Sequence, residues 1–160
     1  MIEYPFDTTR MMLSLLDTDT IERFSHIRFI LCHGGGVLPL LLPRIGPLML
    51  AKKGGNKLSA LINIMRVDRQ VRSCFFDLTA ATSPAYLASL KDTHDSSKLL
   101  MGFDFPFMPP LMIGRAKNGV SGFDGFSAKE KSAVDRTNAQ ALFPRLTKAI
   151  EQAPLSTARR

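Results

Sequence analysis

The sequence predicts an α/β fold built from parallel βα units, and three observations carry that expectation. Three short apolar runs, Phe29-Ile30-Leu31-Cys32, Ser73-Cys74-Phe75-Phe76-Asp77-Leu78 and Leu99-Leu100-Met101-Gly102, are each followed by small, polar or ionisable residues. Apolar residues without polar alternation suit strands covered on both faces, as in a parallel sheet flanked by helices. Stretches with helical spacing separate the runs, which is the connection that parallel strands require. The first run delivers His33 into Gly34-Gly35-Gly36 and the last delivers Asp104. Ionisable groups therefore fall at the carboxyl ends of strands, where parallel α/β folds place their chemistry.

Taken in order, Asp7, Thr8 and Thr9 offer N-cap oxygens to an amphipathic helix over 10–16. A second helix begins at 17–20 and leads to the first strand, 29–32. Gly34 to Gly36 can adopt positive φ and carry no Cβ, so backbone amides and the His33 imidazole can approach a small ligand. Residues 38–49 are apolar almost all round, which implies a buried or interface helix. Pro39 suits its first turn, and Pro43 and Pro47 are expected to kink it. The clearest break is 52–56. Residues 57–66 are helical, with Leu58, Leu61, Ile62 and Met65 forming an i, i+3, i+4, i+7 stripe. The second strand, 73–78, leads to Pro84 at the first position of a helix over 84–90. After the third strand, 99–102, Gly114, Gly119, Gly122 and Gly125 argue against a long regular helix before Phe126. Ser127 and Glu130 form a capping box for the next helix, 136–143 continues it or starts a successor, and 154–160 is expected to fray.

A chain of 160 residues with 45% hydrophobic content supports one domain with a real core. The net charge of +7 is scattered and lacks interleaved aromatics, so a solvated basic surface is expected rather than a nucleic-acid site. Cys32 and Cys74 both fall in expected buried strands without CxxC spacing, which reads as free thiols of a cytoplasmic protein. The first residues lack the basic segment and apolar core of a signal peptide. No apolar run reaches the roughly 18 residues that a membrane span needs.

Five motifs carry a family resemblance. Tyr4-Pro5-Phe6-Asp7-Thr8-Thr9-Arg10, His33-Gly34-Gly35-Gly36 followed by Pro39 and Arg44, Phe76-Asp77, Gly102-Phe103-Asp104-Phe105-Pro106 and Asn138-Ala139-Gln140-Ala141-Leu142-Phe143 occur in consistent order. Together they resemble the C-terminal part of the amidohydrolase-related family, whose best-known branch is similar to aminocarboxymuconate-semialdehyde decarboxylase. The resemblance implies a partial (β/α)8 TIM barrel, with 1–146 as its C-terminal half and 147–160 as a helix end and tail. A closed barrel needs roughly 250 residues.

By the same resemblance His33 matches a catalytic histidine near a metal, and Asp104 matches a metal ligand. Arg44 matches an arginine that reaches a substrate carboxylate across a dimer interface. Complete relatives would use a divalent metal, zinc, to hydrolyse or decarboxylate small carboxylated substrates. The family's His-x-His pair and a further histidine are absent here, and Phe103 stands where serine or threonine is usual. A truncated protein with weak or absent metal binding and little activity of its own is therefore expected. His26 and His94 precede strands and fall on the opposite side from the chemistry. Read without the resemblance, His33 is rather a strand-end histidine bonded to backbone, Asp104 can be a turn-capping carboxylate, and Arg44 is equally a helix-surface arginine. The competing reading is a non-catalytic interaction module. Open edges on the outer strands predict a homodimer or a complementing half-barrel chain, with no nucleic-acid or membrane partner.

Overall fold

The computed structural model describes residues 2–53, 57–145 and 147–148. Its centre is a parallel sheet of three short strands, β1 (Ile30–Leu31), β2 (Phe75–Asp77) and β3 (Leu99–Leu100), in the order β1-β2-β3. Helices α1 (Glu3–Asp17) and α2 (Thr20–Arg23) precede the sheet. The crossover from β1 to β2 is made by α3 (Leu38–Lys53) and α4 (Lys57–Ser73), and that from β2 to β3 by α5 (Pro84–Thr93). Helices α6 (Pro110–Ser121), α7 (Ala128–Ser132) and α8 (Asn138–Leu142) follow, the last two joined by a π-helical turn over Ala133–Thr137. Sequential parallel strands, each leading into helix, are βα units of the kind the expected partial barrel is built from.

The two faces of that wall differ. Leu31, Phe76 and Leu99 stand in register across the sheet and are 1%, 0% and 0% exposed. They belong to one core with Met12, Leu16, Leu38, Val71, Leu87 and Leu90. Fully burying each such side chain is worth about 1.5–3 kcal/mol. Ile30, one residue out of phase, is 42% exposed, and Cys32 beyond it is exposed as well. The expectation of strands buried on both faces therefore holds for one face of β1 only. Helices cover that face, whereas the other points where a closed barrel packs side chains from further strands. Cys32 is accordingly not a buried thiol; its Sγ lies 3.3 Å from Thr8 Oγ1. Cys74 is buried, and burial pushes its thiol up to about 11.

Several helices depart from expectation for local reasons. α1 begins at Glu3, so Thr8 and Thr9 lie inside it and are not caps: their hydroxyls donate to the Tyr4 and Pro5 carbonyls at 3.1 and 2.9 Å. α3 continues through Pro43 and Pro47 to Lys53 and buries Leu38, Pro39, Ile45 and Gly46, leaving Leu40 63% exposed. In α4 the side turned inward is Val67, Gln70 and Val71. The stripe of Leu58, Leu61, Ile62 and Met65 is 66%, 55%, 56% and 63% exposed. Periodicity identifies an apolar face without saying what meets it. α6 is regular despite two glycines; Gly119 packs directly on the Thr82 carbonyl, and Gly114 faces open space.

One expected edge is closed. Asn138 Nδ2 donates to the Leu99 and Ser96 carbonyls, both at 2.8 Å, and the Met101 N–H donates to the Val134 carbonyl at 3.1 Å. The π-helical turn and the start of α8 thus cover the outer side of β3, which satisfies backbone groups that would otherwise be bare. The capping box is present as read: Ser127 N–H donates to Glu130 at 2.8 Å, which helps hold that carboxyl down to about 2. The expected tail at 154–160 lies outside the described residues. Among the described residues no helix is long and apolar enough to cross a membrane.

Candidate functional site

The carboxyl ends of the three strands each carry a non-glycine residue in left-handed backbone: His33 (φ 52°), Ala80 (φ 55°) and Asp104 (φ 52°). Such backbone is uncommon for residues with a Cβ and tends to mark places where surrounding structure dictates the chain path. His33 is half-buried, and its Nδ1 lies 3.3 Å from the Thr79 carbonyl after β2. A carbonyl oxygen only accepts, so Nδ1 is the donor in this contact, which leaves Nε2 on the other side of the ring. Asp104 is exposed, and its backbone carbonyl accepts the Phe107 and Met108 N–H groups at 2.8 and 3.0 Å.

The glycines after His33 do not leave room for a ligand. All three have positive φ, between 64° and 81°, but the space beside each is filled by protein. A Cβ on Gly34 would meet Tyr86 at 2.5 Å, one on Gly35 would meet Phe76 at 2.8 Å, and one on Gly36 would run into the Pro5 carbonyl. Thr9 Oγ1 accepts the Val37 N–H at 3.0 Å, and the Tyr86 hydroxyl donates to the Gly36 carbonyl. Burial pushes the Tyr86 hydroxyl up to about 12, so it stays a donor. These contacts fix the His33 turn against α1 and α5.

His33 and Asp104 share one end of the sheet because all three strands run the same way, but they are not on adjacent strands. β2 lies between them, which separates their strands by about 10 Å at the usual spacing. At the end of that middle strand stands Asp77. Its carboxylate accepts the Thr79 N–H and occupies the place where Gly102 would carry a Cβ. In the sequence Asp77 ends an apolar run just as Asp104 follows one. Among the described residues no three His, Cys, Asp or Glu side chains converge closely enough to hold a metal ion. The donor set therefore does not by itself fit a zinc site, which uses three or four protein ligands.

The other predicted positions fall elsewhere. Arg44 is exposed in the second turn of α3. His26 is exposed before β1, beside Phe24. His94 precedes β3 and is 3% exposed, with its Nδ1 2.7 Å from Thr93 Oγ1 and its ring 4.1 Å from that of Phe76. Its Nε2 has no hydrogen-bond partner among the described residues. Burial, aided by the Arg72 charge, lowers this imidazole to about 4. Behind the strand ends, between the β2–α5 loop and α6, lies a cavity of about 690 Å³.

No family model matches the chain. In sequence it is similar to the decarboxylase yanB of Aspergillus niger, 32% identical over 149 residues that make up 90% of this chain and 39% of that protein. It is 29% identical to the 6-methylsalicylic acid decarboxylase of Penicillium expansum over 97% of this chain and 46% of that protein. In structure it resembles a crystallised amidohydrolase II with a TM-score of 0.72 and 23% identity, covering 86% of this chain and 42% of the other. It also resembles a manganese-bound dihydroxybenzoic acid decarboxylase from a Polaromonas species, with a TM-score of 0.70 and 15% identity over 94% and 43% of the two chains. The structural likenesses establish the fold, and the chain spans under half the length of the curated relatives it matches.

Proposed function

We propose, of a chain that is a relative of the amidohydrolase-related decarboxylases, that it contributes the His33 and Asp104 side of a site that decarboxylates or hydrolyses small carboxylated molecules. What supports this most directly is that both ionisable residues end up at one end of a parallel sheet, each in left-handed backbone. In this reading His33 is the catalytic residue. With its Nδ1–H engaged by the Thr79 carbonyl, the free Nε2 takes a proton from substrate or returns one. Asp104 supplies one anionic oxygen to a divalent metal, which we assign as zinc. With at most two of the needed donors, the chain holds that metal weakly and has little or no activity by itself; the protein is assigned to the cytoplasm.

Elemental analysis after dialysis should find well under one zinc per chain. Stoichiometric zinc that disappears in Asp104→Ala would show an intact cage and overturn the assignment of an incomplete one. Co-expression with the remaining barrel segment of the Penicillium relative, followed by release of CO2 from 6-methylsalicylate, tests the catalytic role. Release lost in His33→Ala is expected; release unchanged in that variant would overturn it.

The second reading, an association module, is favoured by the α4 stripe of Leu58, Leu61, Ile62 and Met65, which no part of the described chain covers. Large exposed apolar surface marks interaction sites. We assign this face to a homodimer contact, with Arg44 on the neighbouring α3 as the residue that would reach a substrate carboxylate in the other copy. Sedimentation should give a dimer that Leu61→Glu returns to monomer. A cooperatively folded monomer at every concentration would sink this reading.

A further inference from the structure

The cavity between the β2–α5 loop and α6 has a composition that the reading above does not use. At about 690 Å³ it falls within the range of small-molecule sites. Among the described residues its wall contains Phe103 and Met112 as large apolar groups, Thr82, Ser83 and Asn118 as polar ones, and a single charged side chain, Arg115. Among the described residues Arg10, Arg66, Arg69 and Arg72 have acidic partners, whereas Arg23, Arg28, Arg44, Arg115, Arg136 and Arg145 do not, and of these only Arg115 lines this cavity. A guanidinium stays charged at any ordinary pH and offers a planar fork of donors suited to a carboxylate. Lys117 Nζ lies 5.9 Å from the Phe103 ring centre, so a second positive charge supports the aromatic wall.

The position of this cavity matters as much as its composition. Ala80, on its wall, directly follows Thr79, whose carbonyl holds His33. Phe103, on the facing wall, directly precedes Asp104. The wall is closed by Gly119, which packs on the Thr82 carbonyl and so brings α6, and Arg115 with it, up to the β2–α5 loop. Arg44 does not line this cavity, so within one chain Arg115 is the arginine that meets whatever enters.

We propose that Arg115 is a specificity-determining residue that holds an anionic group, most simply a carboxylate, of a flat apolar molecule lying against Phe103 and Met112. Calling that molecule a substrate rests on the function proposed above; its binding does not. The probe is benzoate, with benzamide as its neutral counterpart of the same shape, titrated into the ¹⁵N-labelled chain. Amide shifts should cluster at Thr82, Ser83 and Asn118, and benzoate should bind at least about tenfold more tightly than benzamide, the effect of one charge-assisted pair. Arg115→Met should abolish that preference, and Arg115→Lys should keep part of it. Arg23→Met, which removes an exposed charge from α2, should change nothing.

Equal binding of the two probes, shifts elsewhere in the chain, no binding of benzoate, or an equal loss in Arg23→Met would each overturn the proposal. The two readings fail separately. Benzoate selectivity without CO2 release in the complemented protein leaves Arg115 standing and removes the catalytic role. Release that persists in Arg115→Met, in a protein that does not distinguish the probes, does the reverse.

Discussion

The ends of β1 and β3 use the same device with unequal support. Each places an ionisable residue in left-handed backbone just beyond a short strand, His33 at one and Asp104 at the other. At the β1 end the turn is packed from three sides by Pro5 and Thr9 of α1, Phe76 of β2 and Tyr86 of α5. At the β3 end the following Phe105, Phe107 and Leu111 are 78%, 84% and 85% exposed. There the turn is held locally, by the Phe107 and Met108 N–H groups on the Asp104 carbonyl. The histidine side of the candidate site is thus preorganised by the core, whereas the aspartate side is set by its own loop. Mutations should therefore be costly at the first and nearly silent for stability at the second.

The most damaging change is expected at Gly36. Its φ of 67° and ψ of −124° suit glycine alone, and a Cβ would collide with the Pro5 carbonyl inside α1. Backbone is the obstacle, so no side-chain rotation relieves it. Gly36→Ala should lose about 4 kcal/mol or more in urea unfolding, combining left-handed strain with a steric displacement of α1. A loss below about 1 kcal/mol would show that the His33 turn is not clamped by α1.

The next effect reaches the same turn through a packed column. His94 lies against Phe76, and Phe76 in turn fills the space beside Gly35. His94 is neutral in the folded chain, lowered from 6.5 to about 4 by burial and the Arg72 charge, with Asp68 opposing. The unfolded chain takes up the proton from about pH 6.5 downward, the folded chain only near pH 4. Stability is therefore full above pH 6.5 and falls as pH drops toward 4, by about 3 kcal/mol in all. His94→Leu should flatten that limb of the pH–stability curve. An unchanged slope in the variant would assign the acid sensitivity to other groups.

The comparison also explains what could be read from the sequence. The three runs, their parallel order and the delivery of His33 and Asp104 to one sheet end were legible because each is a local apolar run followed by a polar residue. The capping box at Ser127 and Glu130 was legible for the same local reason. What depended on partners far along the chain was not. The glycines signalled positive φ, but only Pro5, Phe76 and Tyr86 decide that the room beside them is filled. The α4 stripe signalled an apolar face but not its exposure. Asn138 stood in a recognised motif, yet its bond across 39 residues to the Leu99 carbonyl has no local signature. Arg115 sat in a stretch whose glycines concealed a regular helix.

On the β3 side a small gain is available. Gly114 lies within α6, its φ is not positive and a Cβ there would meet nothing within 4 Å. Gly114→Ala should stabilise the chain by about 0.5–1 kcal/mol through helix propensity alone. Thermal unfolding would register this as a modest upward shift. A destabilised variant would mean that α6 is covered on that side by something the chain meets in solution.

The smallest effect is expected where the β3 loop is most exposed. Phe107 turns 84% of its surface to solvent, so replacing its ring with a hydroxymethyl group removes little buried apolar area. The backbone bond from Phe107 N–H to the Asp104 carbonyl does not depend on the side chain and should persist in Phe107→Ser. Stability should stay within about 0.5 kcal/mol of the parent. The informative readout is thus the pairing of two numbers, a near-zero change here against a large one for Gly36→Ala. A loss of about 2 kcal/mol or more at Phe107 would show that this ring packs against another surface in solution, and the aspartate side would then be as well supported as the histidine side.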